Sequence, residues 1–176
     1  MNAAHVHLVL NHIPVVGIPV AAAVLLYGLV RGSEEVKRVS LLAFLAIAII
    51  TVPTYLAGQA AEDIVEHLPG VDDDIIHTHE AAATIGLVVT SILGVLSAVG
   101  LLISFFVGRL STLLTILFLL MSLGVSGWLS RVANLGGKIR HTELRTGASF
   151  DDDDHDEGDD DGGGGRRGRN RRGRDR

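Results

Sequence analysis

The residues best suited to chemistry in this chain are imidazoles and carboxylates. His5, His7 and His12 lie in His5-Val6-His7-Leu8-Val9-Leu10-Asn11-His12-Ile13-Pro14, where an apolar helix begins. His67, His77 and His79 lie in or beside an acidic stretch, Glu62 to Glu80, that has no Lys or Arg, and His141 follows Lys138-Ile139-Arg140. Neutral imidazole is a ligand for haem iron, zinc, copper and non-haem iron. Two chemistries are therefore open. One is b-type haem, with axial imidazoles from facing helices (His12 with His79) and a cofactor set of His7, His12, His79 and His141. Gly17 and Gly86 would then clear space for the ring, and Lys138 and Arg140 would meet its propionates. The other is a mixed nitrogen and oxygen shell for iron, zinc or manganese, drawn from His7, His12, His79, His141, Glu62, Glu66 and Glu80. Glu62 and Glu66 share a helical face, as do Asp63 and His67. His77-x-x-Glu80 has the spacing of a Glu-x-x-His ligand pair in reverse.

Each of these residues also has a plainer reading. His5, His67, His77 and His155 suit ordinary solvated or interfacial positions. His12 could bond backbone carbonyls freed by Pro14, which has no N–H to donate. Glu80 could simply favour a helix N-terminus. A structural or interaction subunit with no cofactor is the third possibility.

The composition removes other chemistry. With no cysteine among 176 residues, disulfides, thiolate zinc sites, cysteine-held iron–sulfur clusters and Cys-x-x-Cys-His haem attachment are excluded. No P-loop, Gly-x-Ser-x-Gly or helix-opening Gly-x-Gly-x-x-Gly is present. A redox carrier or subunit fits better than a stand-alone catalyst, with a redox partner subunit or a homo-oligomer as the protein partner.

The elements that must hold these groups are apolar helices. Residues 13–30, 40–61, 81–108 and 110–130 are uncharged apart from the chain between them. Each can cross a hydrocarbon layer of about 30 Å at about 1.5 Å per residue. The fold class is all-α, an integral membrane four-helix bundle over residues 1–147, with helices at about 3–30, 40–67, 73–108 and 110–135. Ser33, with Glu35 and Val36 behind it, can cap a short turn between the first two helices. Leu68-Pro69-Gly70 breaks the connection before the third helix, Gly108-Arg109 is a tight turn, and Gly136-Gly137 reads as a helix stop. Pro14, Pro19 and Pro53 read as kinks, and Trp128 and Tyr55 as interface anchors. Residues 148–176 form an acidic, then Arg/Gly-rich tail expected to be disordered. The tail could contact anionic lipid, and no specific nucleic acid is expected.

Four crossings put both termini and the connection between the second and third helices on one side. Every histidine from His5 to His141 then lies on that side. Arg31, Lys37, Arg38 and Arg109 mark the opposite face as cytoplasmic by the positive-inside rule. The expected location is thus the inner cell membrane, with the histidines and termini on the outer, periplasmic side.

Several of these residues fall into a recognisable pattern. His7-Leu8 with Asn11-His12-Ile13-Pro14, then Gly58-Gln59-Ala60-Ala61-Glu62-Asp63 and Glu66-His67-Leu68-Pro69-Gly70-Val71, are followed by His79-Glu80 and Asn134-Leu135-Gly136-Gly137-Lys138-Ile139-Arg140-His141. In these the chain resembles the uncharacterised four-helix bacterial membrane protein family known as domain of unknown function 2231. Ile13 stands where the pattern has Phe, Gln59 where it has an acid, and Ala60 where it has proline. The resemblance covers residues 1–146 and implies a fold and a residue set, not a reaction.

Overall fold

The computed structural model describes residues 2–66 and 71–141. His67, the Leu68-Pro69-Gly70 break and the tail lie outside the described residues. The described chain forms α1 (Ala3–Leu10), α2 (His12–Arg31), α3 (Glu34–Val65), α4 (Asp73–Val107) and α5 (Thr112–Arg140). Helices α1 and α2 make one crossing, so four spans, Ala3–Arg31, Glu34–Val65, Asp73–Val107 and Thr112–Ile139, are long and apolar enough to traverse a bilayer. This is the all-α, four-span arrangement expected of a multi-pass membrane protein.

The distribution of side chains agrees with that reading. Val16, Val20, Ile49, Val95, Phe106 and Leu117 all point outward, Phe106 with 86% of its surface exposed. Hydroxyls point inward: Ser40, Thr90, Ser97, Ser104, Thr115 and Ser122 are all buried. An apolar exterior suits lipid, and small or hydroxylated residues let helices approach closely without a solvent-driven core. The closest approach is at Gly94, where an added Cβ would collide with Ala48 Cβ. The largest buried side chains, Ile18, Leu25, Leu41, Phe44 and Leu93, fill the centre between α2, α3 and α4.

Three boundaries differ from the sequence expectation. The second span begins at Glu34 rather than near residue 40, because Ser33 Oγ accepts from Val36 N and Glu34 and Glu35 suit the positive end of the helix. The last span runs to Arg140 rather than 135. Gly136 and Gly137 stay helical, and the end comes at His141, whose N–H donates to Gly137 O. It also starts at Thr112, after Ser111 caps the N-terminus by accepting from Leu114 N. The glycines that do terminate helices are Gly32 (φ 64°) and Gly108 (φ 81°), both in the left-handed region.

The first span is not continuous. It is interrupted at Asn11, one turn before Pro14, whose ring crowds the carbonyl four residues earlier and offers no N–H. Beyond the interruption the packing changes. Helix α2 lies against α3 and α5, whereas α1 lies against α3 with no comparable packing on α5. Among the described residues, α5 therefore packs on the α2 part of the first span rather than on α1.

At the opposite end the start of α3 grips the turn between α4 and α5. Lys37, only 5% exposed, donates to Glu34 Oε1 (2.6 Å) and to Leu110 O (3.2 Å). Glu34 Oε2 accepts from Leu110 N at 2.8 Å. Arg38 donates to Ser104 Oγ and Ser104 O, both at 2.7 Å, and to Gly108 O at 3.2 Å, with its guanidinium 5.1 Å from the Phe105 ring centre. Two of the charges that mark this face are thus also ties between helices.

Candidate metal centres at the histidine end

The N-terminus of α1, the C-terminal turns of α3, the first turns of α4 and the end of α5 meet at one end of the bundle. His5 and His7 lie on α1, His77 and His79 on α4, His12 opens α2 and His141 caps α5, so all six lie at this end, as the four-crossing topology requires. The structure sorts them into two groups and leaves others outside both.

The first group is Glu62, His77 and Glu80. Their ligand-type atoms all lie within 4.8 Å of one another. Glu62 comes from the last turns of α3, while His77 and Glu80 come one turn apart on α4. Both carboxylates are half-buried and His77 is exposed. Helix α4 starts here because Asp72 caps it, accepting from Asp74 N at 3.0 Å, and Asp73 and Asp74 favour its first turn. Two carboxylates this close at a membrane face repel unless positive charge lies between them. Two oxygens and one imidazole are a donor set for zinc, iron or manganese, with open positions left for water.

The second group is His7 and His79. Their rings are 6.5 Å apart, centre to centre, and nearly perpendicular at 88°. His7 Nδ1 lies 2.9 Å from Thr54 O, and His79 Nδ1 lies 3.0 Å from Val132 O. A carbonyl only accepts, so each Nδ1 carries the proton and donates, which leaves each Nε2 with a lone pair when the ring is neutral. The two seats share a design. Four residues after each accepting carbonyl comes a glycine, Gly58 on α3 and Gly136 on α5. A Cβ at Gly58 would come within 2.9 Å of His7 Cε1, and one at Gly136 within 3.0 Å of His79 Cε1.

No family model, curated protein or solved structure matches this chain.

Of the residues singled out from sequence, Glu62 and Glu80 come together with each other, and His7 comes together with His79. Among the described residues, no hydrogen bond or ring contact joins His12 to either group. Its ring is exposed and its Nδ1 bonds Leu8 O at 2.8 Å, within the interrupted turn itself. Glu66 and His141 are exposed at the same end. The ring-clearance positions are filled: a Cβ at Gly17 would meet Ile47 Cδ1 at 3.0 Å, and one at Gly86 would meet Leu129 Cδ2 at 3.2 Å. Trp128 and Tyr55 are not mere interface anchors. Trp128 Nε1 donates to Ala82 O at 2.9 Å, and Tyr55 OH lies 2.9 Å from Thr84 Oγ1, so both tie α4 to its neighbours.

Sequence reasoning passed over His77 as an ordinary interfacial residue. Its spacing to Glu80 was visible, but its pairing with Glu62 depends on how α3 and α4 meet. Gly58 and Gly136 were likewise seen only as parts of a pattern and a helix stop. The signal that could have found them is a glycine one helical turn beyond a position that faces a histidine.

Proposed function

We propose that this membrane protein holds a divalent transition-metal ion at one face, with Glu62, His77 and Glu80 as its protein ligands. The observation that carries this is the convergence of their three donor groups to within 4.8 Å. Two carboxylates with one imidazole favour manganese, iron or zinc over a wholly hard-ligand ion. The site faces outward from the cell membrane on this reading, since Arg31 and Arg109 mark the other face as cytoplasmic. The resemblance to the four-helix membrane family is in keeping with it, because Glu62 and Glu80 fall in the matching segments.

The haem reading has less to rest on. Its axial pair would need His12, which is turned outward onto Leu8, and its clearance glycines carry apolar neighbours.

The test is metal stoichiometry on the detergent-purified chain. We expect close to one manganese or zinc ion per chain at the carboxylate site, with affinity falling by at least about tenfold in Glu62→Gln and in Glu80→Gln. Manganese binding unchanged in both variants would refute the assignment. A Soret band that shifts on dithionite and disappears in His12→Ala and His79→Ala would favour haem instead.

A further inference from the structure

We propose that a cavity at the opposite end of the bundle binds a phosphate group, carried on a phospholipid headgroup or free in solution. It shares no residue with the Glu62 site, so either assignment can stand or fall without the other.

The cavity measures about 390 Å³ and lies where the end of α2 meets the starts of α3 and α5. Leu29, Glu34, Lys37, Arg109, Ser111 and Thr112 are among the residues that line it. Lys37 is the informative one. An ammonium has three N–H bonds, and two are spent here, on Glu34 Oε1 and on Leu110 O. Among the described residues the third has no partner, although the side chain is buried and lines the cavity. Glu34 lines the cavity too, but its two oxygens are committed to Lys37 and to Leu110 N. Arg109 is exposed and has no hydrogen-bond or ion-pair partner among the described residues. A buried ammonium with a donor to spare and an unpaired guanidinium, lining one space, call for an anion.

The surroundings say which anion fits. This end of the bundle carries Arg31, Lys37, Arg38 and Arg109 against only Glu34 and Glu35. The start of α5 reinforces the field, since the N–H groups of Thr112 and Leu113 have no partner among the described residues. Guanidinium, ammonium, hydroxyl and backbone N–H are the donors that hold phosphate oxygens. The volume falls within the range of small-molecule pockets, about 300–1,000 Å³, and is roomy for a bare phosphate. Outside the cavity, Val30 and Leu113 are exposed, and Leu26 and Leu117 continue that apolar surface one turn deeper on α2 and α5. A headgroup in the cavity would therefore have apolar helix surface beside it for its acyl chains. Basic pockets between spans take anionic lipids in this way.

The full chain, purified in a neutral detergent, is titrated with three probes: short-chain phosphatidylglycerol, the matching diacylglycerol, which lacks phosphate, and inorganic phosphate. Binding is read by native mass spectrometry and phosphorus magnetic resonance. The wild-type chain should bind phosphatidylglycerol and not the diacylglycerol. Arg109→Gln removes a charge without breaking a helix contact, and should weaken binding by at least about tenfold. Thr112→Glu should abolish it. Glutamate suits the first turn of a helix, so α5 still forms, while its carboxylate repels phosphate from the cavity. Arg131→Gln, which is exposed near the histidine end, should change nothing. Phosphatidylglycerol held against excess inorganic phosphate assigns the site to lipid. Its displacement, or binding of inorganic phosphate alone with the same loss in Arg109→Gln, assigns the site to soluble phosphate. Affinity unchanged in either cavity variant would overturn the proposal, as would equal binding of the diacylglycerol or no binding of either phosphate probe. If Thr112→Glu does not fold, unchanged affinity in Arg109→Gln overturns it alone.

Discussion

An imidazole can lie flat against a helix backbone only where the helix lacks a side chain. Gly58 and Gly136 provide that space, and each does so one turn after the carbonyl that its histidine bonds. Gly94 serves helix packing instead, and the difference can be measured. Gly94→Ala forces a methyl onto Ala48 and should cost about 1–3 kcal/mol in thermal or denaturant unfolding in detergent. Gly124→Ala and Gly127→Ala, where a Cβ meets nothing within 4 Å, should leave stability unchanged or raise it by up to about 1 kcal/mol. Equal losses at all three positions would contradict the packing described for α4. At this scale the sequence was partly legible. Histidine and glutamate announced themselves by type, and the i, i+3 relation of His77 and Glu80 by spacing. Which histidine met which carbonyl was not legible, because that depends on the angle and depth at which two helices cross. His12 shows the limit. It sits in the most suggestive stretch of the chain and faces outward.

The helices were legible in outline because uncharged runs of this length have few alternatives. Their ends were not, because polar residues at the ends belong to tertiary contacts. Lys37 and Arg38 looked like charges at a membrane face, yet Lys37 is buried and both reach across to the turn after α4. Replacing Lys37 by methionine should therefore act on folding. It strands the Glu34 carboxylate and frees Leu110 O, and since Glu34 retains some exposure the loss should be about 3 kcal/mol, near the low end for a broken buried pair. Arg38→Lys should also destabilise, because one ammonium cannot serve Ser104 Oγ, Ser104 O and Gly108 O in a fixed fork. Unfolding of both variants in detergent, compared with the exposed-site control Arg31→Gln, checks this. Wild-type stability in Lys37→Met would show the grip to be dispensable.

Four spans place the α2–α3 and α4–α5 connections at one end and the described histidines at the other. Single cysteines replacing Arg109 and Asp73, both exposed, should label from opposite sides of sealed cells, with Asp73→Cys reached from outside. Labelling of both by one impermeant reagent would contradict the crossing count, and labelling of Arg109→Cys alone from outside would reverse the orientation. The overall topology could be read from hydropathy because lipid admits so few backbone solutions. The change of packing partners between α1 and α2 could not, since Pro14 signals a break without saying which neighbour the broken segment keeps.

The acidic connection between α3 and α4 divides the chain into two hairpins, and neither hairpin holds a finished site. His7 and Glu62 belong to the first; His77, His79 and Glu80 belong to the second. A half-inserted chain, or one whose second hairpin has entered the wrong way up, has no ligand set to offer. If the proposed site holds an ion, its loading would serve as a proofreading mark, since Glu62 and the pair His77 and Glu80 meet only after both hairpins are seated side by side in the same sense.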